Sequence, residues 1–591
     1  MILSPFLWNL VVDSLLSFTK EKIPCDLQGF ADDLALLATT EAPKVKGLQF
    51  FDADTLREMT QKSLEQIDQW CKENGLSLSA LKTHSVMFTW RRNWRDQLSK
   101  PFQVDDTEIE IRNTTKFLGV TLDSKLSWKE HIDQKCKKAK GILLQCRRAI
   151  GPSWCFNPQT MKWIYTALVR PTLTYAAMTW INGLYKQHNL AKLKSVQRLA
   201  NILITGALPS TPGDPLNSIT NTIPIDLCIE FEEEAALGFL RLKSNNQWRI
   251  EPMINEKGNL TTHTKLCKKL LSGVNLADRE QDLQTSTLNI DTSFGTEIPV
   301  LDDYREPEPN AETILCYTDG SKMDDKVGSG VYIPDNGSGT PVELAFHIGE
   351  HSTVFQAEAY AVEQAAKLLI DGGTKDKTII INCDSQAAIK AVLIKPKTTQ
   401  RARNELHKLG KDNNVLLRWI PAHKGYLGNE KAVELAKKGS GDNEAERVTL
   451  PVPRTVWKNA LRQRSHRKMR ERWNWKDMPL HFRTVWRESY TKSLSNHGKD
   501  KLRAATQYLT GHCELNYHLN KYKPQSISKI CPHCSMEEET MNHFIGQCQM
   551  WFNRRGRFFN CYYASVSEIA DRFPLRKIVG YICSTNRFNQ H

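Results

Sequence analysis

The order of apolar runs between residues 313 and 440 leaves this chain little choice of fold. Strand-length runs "TILCYTD", "GSGVYIP" and "ELAFHIG" come first, followed by the helical pattern "TVFQAEAYAVEQAAKLLI" and the strand "TIIINCD". Two helical patterns, "SQAAIKAVL" and "QRARNELHKL", then lead to the strand "VLLRWIPA" and the helix "NEKAVELAKKG". Apolar strands in this mixed order, with helices between them, imply a mixed sheet with helices packed on it. A compact α/β domain is therefore expected over 313–440.

Three acids fall at telling places in that pattern. Asp319 ends "TILCYTD", Glu358 lies in the first turns of its helix, and Asp384 ends "TIIINCD". Taken alone, Asp319 followed by Gly320 is a turn signal, and each acid by itself reads as an exposed polar residue. An acid ending an otherwise apolar strand must be paired or metal-bound to offset its desolvation. Two strand-end acids and a helical one together make a candidate site for hard divalent cations, which take carboxylate oxygens and leave room for water and phosphate.

"YTDGS", "FQAEAYAV", "INCDSQAAI" and "WIPAHKGYLGNEKAVELAKKG" occur in this order, and together they closely resemble the type I ribonuclease H domain. The resemblance implies that Asp319, Glu358 and Asp384 are three of four carboxylates holding two Mg²⁺ (or Mn²⁺) ions at the scissile phosphate of the RNA strand in an RNA–DNA hybrid. It makes His423, in "PAHKG", the histidine that assists catalysis and product departure, and it places Ser321, Ser385 and Asn429 at substrate-binding positions. The fourth carboxylate is where this sequence departs. The family pattern G-N-E-x-A-D-x-L-A becomes "GNEKAVELA", with Val433 in place of the acid. The neighbouring Glu434 lies about 100° round the helix axis and should point away. Loss of a directly bound ligand is expected to impair cleavage strongly, because even outer partners of a metal site cost about 10–100-fold.

Near the N-terminus, "LQGFADDLALLA" sets Asp32 and Asp33 between apolar flanks, as the tip of a hairpin would; a plain surface turn is the other reading of this stretch. With "ILSPFLWNLVVDSLL", "NGLSLSALKTHSVMFTW", "KFLGVTLDSKLSWKEHI" and "LVRPTLTYAAMTW", residues 1 to about 240 resemble the later palm and thumb of reverse transcriptases from non-LTR retrotransposons. Such polymerases need a further palm Asp from an earlier strand, and neither Asp13 nor Asp26 is placed to replace it. The expectation is a truncated, polymerase-inactive remnant.

In "CPHCSMEEETMNHFIGQC" the spacing of Cys531, Cys534, His543 and Cys548 suits one tetrahedral Zn²⁺, with Cys513 and His533 as competing ligands. Residues 454 to 476 hold nine Lys and Arg against one acid, Glu471, with three tryptophans interleaved. That segment reads either as a solvated helix face or as a nucleic-acid contact combining phosphate neutralisation with stacking. Over the whole chain, 80 Lys and Arg against 66 Asp and Glu give a net charge of +14, which favours RNA, DNA or their hybrid as partners.

The apolar start "MILSPFLWNLVVDSLLSF" lacks a basic leader and is broken by Pro5, Asn9 and Asp13, so neither a signal peptide nor a membrane span is expected. Fifteen scattered cysteines point to reduced thiols rather than a disulfide framework, hence to an intracellular protein of nucleus or cytoplasm, not a secreted one. The expected fold class is multidomain α/β and α. A partial polymerase palm at 1–100 leads to a mostly helical thumb and connection at 101–271 and a polar linker at 272–312. The ribonuclease H-like domain at 313–440 is followed by a basic aromatic segment at 441–525 and a small zinc module with tail at 526–591. The whole resembles the C-terminal part of a non-LTR retrotransposon polyprotein. A nucleic-acid-binding relic without catalysis is the rival expectation.

Overall fold

A computed structural model describes residues 3–39, 53–89, 101–148, 156–232, 292–301, 312–335, 339–394, 397–441, 445–473, 478–494 and 496–588, with 44–45, 48–49, 281–282 and 305. The chain forms two compact units, Met1–Ile229 with Arg472–His591, and Glu230–Glu471. Among the described residues no helix is long and apolar enough to cross a membrane.

The second unit is built on a seven-stranded mixed sheet. Its strands are β1 (Phe294–Glu297), β2 (Thr313–Met323), β3 (Lys326–Ile333), β4 (Val342–Gly349), β5 (Thr378–Cys383), β6 (Asn414–Trp419) and β7 (Glu446–Arg447), in spatial order β1-β6-β5-β2-β3-β4-β7. β2, β3 and β4 pair antiparallel in chain order, while β5 joins β2 and β6 in parallel register. Its helices are α1 (Val354–Asp371), α2 (Gln386–Ile394), α3 (Lys397–Leu409), α4 (Leu427–Gly441) and α5 (Arg454–Trp473).

The period-two alternation of β2 sorts its side chains to the two faces of the sheet. Ile314 and Cys316 join the main core with Ala361 and Ala365 of α1 and Leu406 of α3. Leu315 and Tyr317 face the other way and pack with Ala432 of α4. Asp319 shares the parity of Leu315 and Tyr317, so it emerges on the side that α4 covers.

Several expectations need correction. Asp319 does not end its strand: β2 continues through Gly320 to Met323, and the reversal is made by Asp324 and Asp325, both at positive φ. Part of the expected linker at 272–312 is sheet, because Phe294–Glu297 is the edge strand beside β6. Asp282 is also tied in, accepting from the Thr398 amide and the Gln356 side chain at 3.0 Å each. A four-residue edge strand carries too little apolar pattern to stand out from a polar stretch. The domain also runs past 440, since β7 pairs with β4.

Much of the basic segment forms α5, and its Trp457 is not free for the stacking expected of it. Trp457, Leu461, Ser465 and Met469, four residues apart, form one buried stripe, with Trp457 packed on Val452 and Leu461. That spacing makes one side of a helix, and α5 spends it on packing. The Trp473 side chain and Trp475 lie outside the described residues.

In the first unit, the Asp26–Phe30 and Asp33–Leu37 strands form the expected hairpin. Residues 101–148, expected to begin a mostly helical stretch, open with two further hairpins, Phe102–Val104 with Thr107–Ile109 and Thr114–Phe117 with Val120–Asp123, before a helix begins at Lys129. That stretch is therefore not helical throughout. The C-terminal residues are not a separate small module either: Phe544, Ile545 and Tyr581 share one core with Phe482, Tyr508 and Leu509. The metal-loop residues hold too few apolar side chains to make a core of their own.

Candidate active site and metal centres

The parallel ladder between β2 and β5 ends at the pair Thr318 and Cys383, and the next residue on each strand is an acid, Asp319 and Asp384. Glu358 comes from the second turn of α1. That helix is started by a capping box in which Thr353 Oγ accepts from the Gln356 amide at 3.3 Å and the Gln356 side chain accepts from the Thr353 amide at 3.2 Å. Gly320 lets α1 come this close, because a Cβ there would sit 2.8 Å from the Val354 carbonyl oxygen and 2.9 Å from the Glu358 nitrogen. One oxygen from each of the three carboxyl groups lies within 4.8 Å of the others. Asp319 and Glu358 are 6% and 4% exposed, so bulk water screens these two carboxyls poorly, while Asp384 is half-buried.

The electrostatics follow from that crowding. Burial and then the neighbouring Asp384 push Asp319 up to about 7. Burial, Asp319 and Asp384 hold Glu358 well above the ordinary carboxylate range. Burial also raises Asp384, with His423 pulling against it. Two buried acids and a half-buried one, of which Asp319 and Glu358 are each raised by neighbouring acids, are a donor set suited to a divalent cation, which would relieve both the repulsion and the desolvation. The cluster is braced from behind: the Trp419 indole N–H donates to the Asp384 carbonyl at 2.9 Å, and the Cys383 thiol points at Glu358 Oε2 from 3.7 Å.

His423 is exposed on its loop at positive φ. Ser385 spends its hydroxyl on accepting the Ala388 amide at 3.2 Å at the start of α2. Ser321 is half-buried on β2 opposite Gly328. Asn429 is 1% exposed, and its Oδ1 has no hydrogen-bond partner among the described residues.

At the fourth position, α4 lies hard against the sheet. Gly330, the register partner of Asp319, allows this, since a Cβ there would collide with the Ala432 carbonyl. Val433 is buried at 7% exposure. Glu434 is exposed and paired with Lys431 at 3.0 Å, turned away as its position on the helix implied. Two neighbours went unnoticed in the sequence. Lys437 lowers the Asp319 pKa and Glu430 raises it, so both lie near that carboxyl. They stand four residues after and three before Val433, on its helix face, and that spacing was the signal available.

The four zinc candidates also come together, with their ligand atoms within 4.8 Å of one another. Cys534 Sγ lies 3.3 Å from His543 Nε2, and Cys531 Sγ lies 3.9 Å from Cys548 Sγ. The Ile530–Glu538 bridge closes the loop bearing the Cys pair, and a single π turn, His543–Gln547, brings the other two ligands round. His543 Nδ1 meets Glu537 Oε2 at 2.8 Å, which leaves Nε2 to the centre. Burial acts to raise the Cys534 thiol, but the Met536 and Glu537 amides bring it down to about 7, favouring the thiolate that a metal needs. Cys513 and His533 stay outside this group; the first bonds the Gly511 carbonyl and the second packs edge-on to Trp551.

The N-terminal hairpin holds Asp32 in its two-residue turn and Asp33 at the start of the return strand, both exposed. The Trp8 indole N–H fastens the turn by donating to the Ala31 carbonyl at 2.8 Å. Asp26 pairs with Leu37 at the opposite end of the hairpin, and Asp13 is exposed on the Leu3–Lys22 helix. Among the described residues no third acid, His or Cys joins Asp32 and Asp33 in a metal-sized cluster.

Comparison with known proteins agrees with this layout. The family described as reverse transcriptase (RNA-dependent DNA polymerase) matches residues 1–122, and the RNase H family matches residues 311–441. The chain is 24% identical over 226 residues to the putative 115 kDa protein in type-1 retrotransposable element R1DM of Drosophila melanogaster, covering 38% of this chain and 21% of that protein. It is 23% identical over 181 residues to the retrovirus-related Pol polyprotein from type-1 retrotransposable element R1 3 of Nasonia vitripennis, covering 30% of this chain and 44% of that one. The matched stretches thus span less than half the length of these relatives. Among solved structures, RNase H1 from Halobacterium salinarum is 25% identical, with 22% of this chain and 96% of that chain covered and a TM-score of 0.18. LC11-RNase H1 in complex with an RNA/DNA hybrid gives 25%, 22%, 96% and 0.19.

Proposed function

We propose that this chain, a retrotransposon polyprotein by its reverse transcriptase and RNase H families and its relatives, carries a site for hydrolysing the RNA strand of RNA–DNA hybrids, weakened at one ligand. The observation that carries the reading is the cluster of Asp319, Glu358 and Asp384, two acids from adjacent parallel strands and one from the helix across Gly320. These three carboxyls would hold Mg²⁺ or Mn²⁺, and the ions would supply charge stabilisation for the attacking and leaving oxygens. Asp319 is the central ligand, lying between Asp384 on the next strand and the α4 face. His423, exposed on its loop and acting on Asp384, assists catalysis and the departure of product. Ser321, Ser385 and Asn429 are assigned to binding the hybrid backbone, Asn429 acting from a buried position.

Val433 contributes no donor atom, and Glu434 is turned to solvent against Lys431, so one side of the site lacks a protein ligand. The buried valine favours a second reading in which the domain grips hybrid without cutting it. An assay on a labelled RNA–DNA hybrid with Mg²⁺ or Mn²⁺ separates the two: slow cleavage abolished by Asp319→Asn supports the ribonuclease, and binding with no cleavage supports the grip. Cys531, Cys534, His543 and Cys548 bind one Zn²⁺ that holds the C-terminal loop in shape. The Asp32 and Asp33 hairpin does not by itself make a polymerase site, since it lacks a third acid among the described residues.

A further inference from the structure

Helix α5 spends Trp457 on packing, and a different segment of the chain carries exposed aromatic and basic groups. Residues 549–563, "QMWFNRRGRFFNCYY", hold three arginines, six aromatic residues and no acid. They form the helix Phe552–Phe559 and the turn that follows it in the Arg472–His591 part of the first unit. Phe552 and Tyr562 stack with ring centroids 4.2 Å apart and planes 14° apart, and Phe552 meets Tyr563 edge-on at 5.8 Å. Both tyrosine rings reach solvent, Tyr562 being 53% and Tyr563 59% exposed. Arg554 and Arg557 are exposed on the same helix, Arg554 lying over the Trp551 ring at 5.4 Å, and the Arg555 guanidinium lies 5.8 Å from the Tyr563 ring.

This surface is held rigid from beneath. Arg555 is fully buried; it donates through Nε to the Tyr562 carbonyl at 2.8 Å and through an Nη to the Cys548 carbonyl at 2.7 Å. One side chain therefore fastens the aromatic turn to a residue of the candidate zinc centre. Asn560, at positive φ, ends the helix and sends the chain back over it. An exposed aromatic step costs solvation in a soluble protein, and fixing it this way removes the ordering cost that a ligand would otherwise meet.

We propose that Tyr562 and Tyr563, with Arg554 and Arg557, form a stacking platform for the unpaired bases of single-stranded nucleic acid. Charge complementarity selects the occupant: a segment with exposed arginines and no carboxylate of its own suits a polyanion, and flat exposed rings suit bases free of a helical stack. Every base offers a π face, so the platform is tolerant of sequence. It requires single strands because bases within a duplex are already stacked on one another. The platform belongs to the other compact unit of the chain and does not rest on the ribonuclease reading.

The test measures binding of the full chain to a single-stranded DNA about 30 nucleotides long and to the matching duplex, by fluorescence anisotropy. Tyr562→Leu with Tyr563→Leu should weaken single-strand binding about five- to 150-fold for each base that no longer stacks and leave duplex binding unchanged. Tyr562→Phe with Tyr563→Phe should restore it, since the rings and not the hydroxyls do the stacking. A 2-aminopurine base in the strand should lose its protein-induced quenching in the Leu variant, while Arg554→Gln with Arg557→Gln should keep the quenching and reduce the salt dependence of binding. Zn²⁺ content and far-UV circular dichroism report on folding of each variant, and Asp319→Asn should bind the strand as the native chain does. Unchanged single-strand affinity in the Leu variant overturns the proposal. So does an equal loss for single strand and duplex, which would make the surface a plain phosphate contact.

Discussion

Asp384 lies one register step beyond the Thr318–Cys383 pair, beside Asp319, and it helps to push the Asp319 carboxyl up to about 7. The metal-free folded state therefore keeps a proton on Asp319 up to about pH 7, whereas the unfolded chain releases it near the ordinary value of 3.8. The stability this gives is full below about pH 4 and is lost as pH rises through about 7.

A divalent cation takes the place of that proton, so its benefit should grow with pH. Mg²⁺ is expected to raise the melting temperature more at about pH 8 than at about pH 5.5, and Asp319→Asn should erase the difference. Thermal melts in EDTA and in Mg²⁺ check this. Equal shifts at both pH values would place the cation somewhere other than these carboxyls.

Val433→Asp should raise hybrid cleavage by at least about tenfold, the low end of effects at metal sites. The same variant should be less stable in EDTA, because it adds a fourth buried carboxyl to a crowded cluster. Adding Asp319→Asn should abolish the gain. Single-turnover cleavage of a labelled hybrid reads all three outcomes, and no gain on restoration would favour the grip over the ribonuclease.

The purified protein should hold about one Zn²⁺ per chain, and Cys531→Ser with Cys534→Ser should remove it. Glu537→Gln, which takes away the carboxylate behind His543 Nδ1, should weaken zinc about 10- to 100-fold in a chelator competition. Zinc content unchanged in the double Cys variant would refute the site.

Trp457→Ala should destabilise the Glu230–Glu471 unit by about 3–5 kcal/mol, since it empties a buried site on α5. Arg462→Gln with Arg467→Gln, both exposed on the same helix, should leave stability alone and flatten the salt dependence of nucleic-acid binding by about 0.7–0.9 for each phosphate that is no longer neutralised. Denaturant melts and salt titrations tell the two roles apart, and an unchanged slope would make α5 a structural helix with a solvated face.

Primer extension on an RNA template should show no incorporation by this chain, and Asp32→Asn with Asp33→Asn should change nothing. Template-dependent extension that disappears in that double variant would mean that a third ligand completes the hairpin.

Much of the fold was legible in the sequence. Alternating apolar residues in strand-length runs have one economical burial, so the sheet and its helices could be read from "TILCYTD" to "NEKAVELAKKG". Helical period alone placed Glu434 away from the site, and the Cys and His spacing alone brought four ligands together. Tertiary structure decided what local pattern cannot encode. Asp319 followed by Gly320 looks like a turn, yet β3 pairs along both residues, and the missing Cβ of Gly320 is used to admit α1. Phe294–Glu297 became a strand only because β6 offered an open edge. Trp457 and Tyr562 are both aromatic residues in basic stretches. The first is buried by its neighbours on α5 and the second is left facing water, because burial depends on which element packs against a side chain, and sequence spacing does not specify that partner.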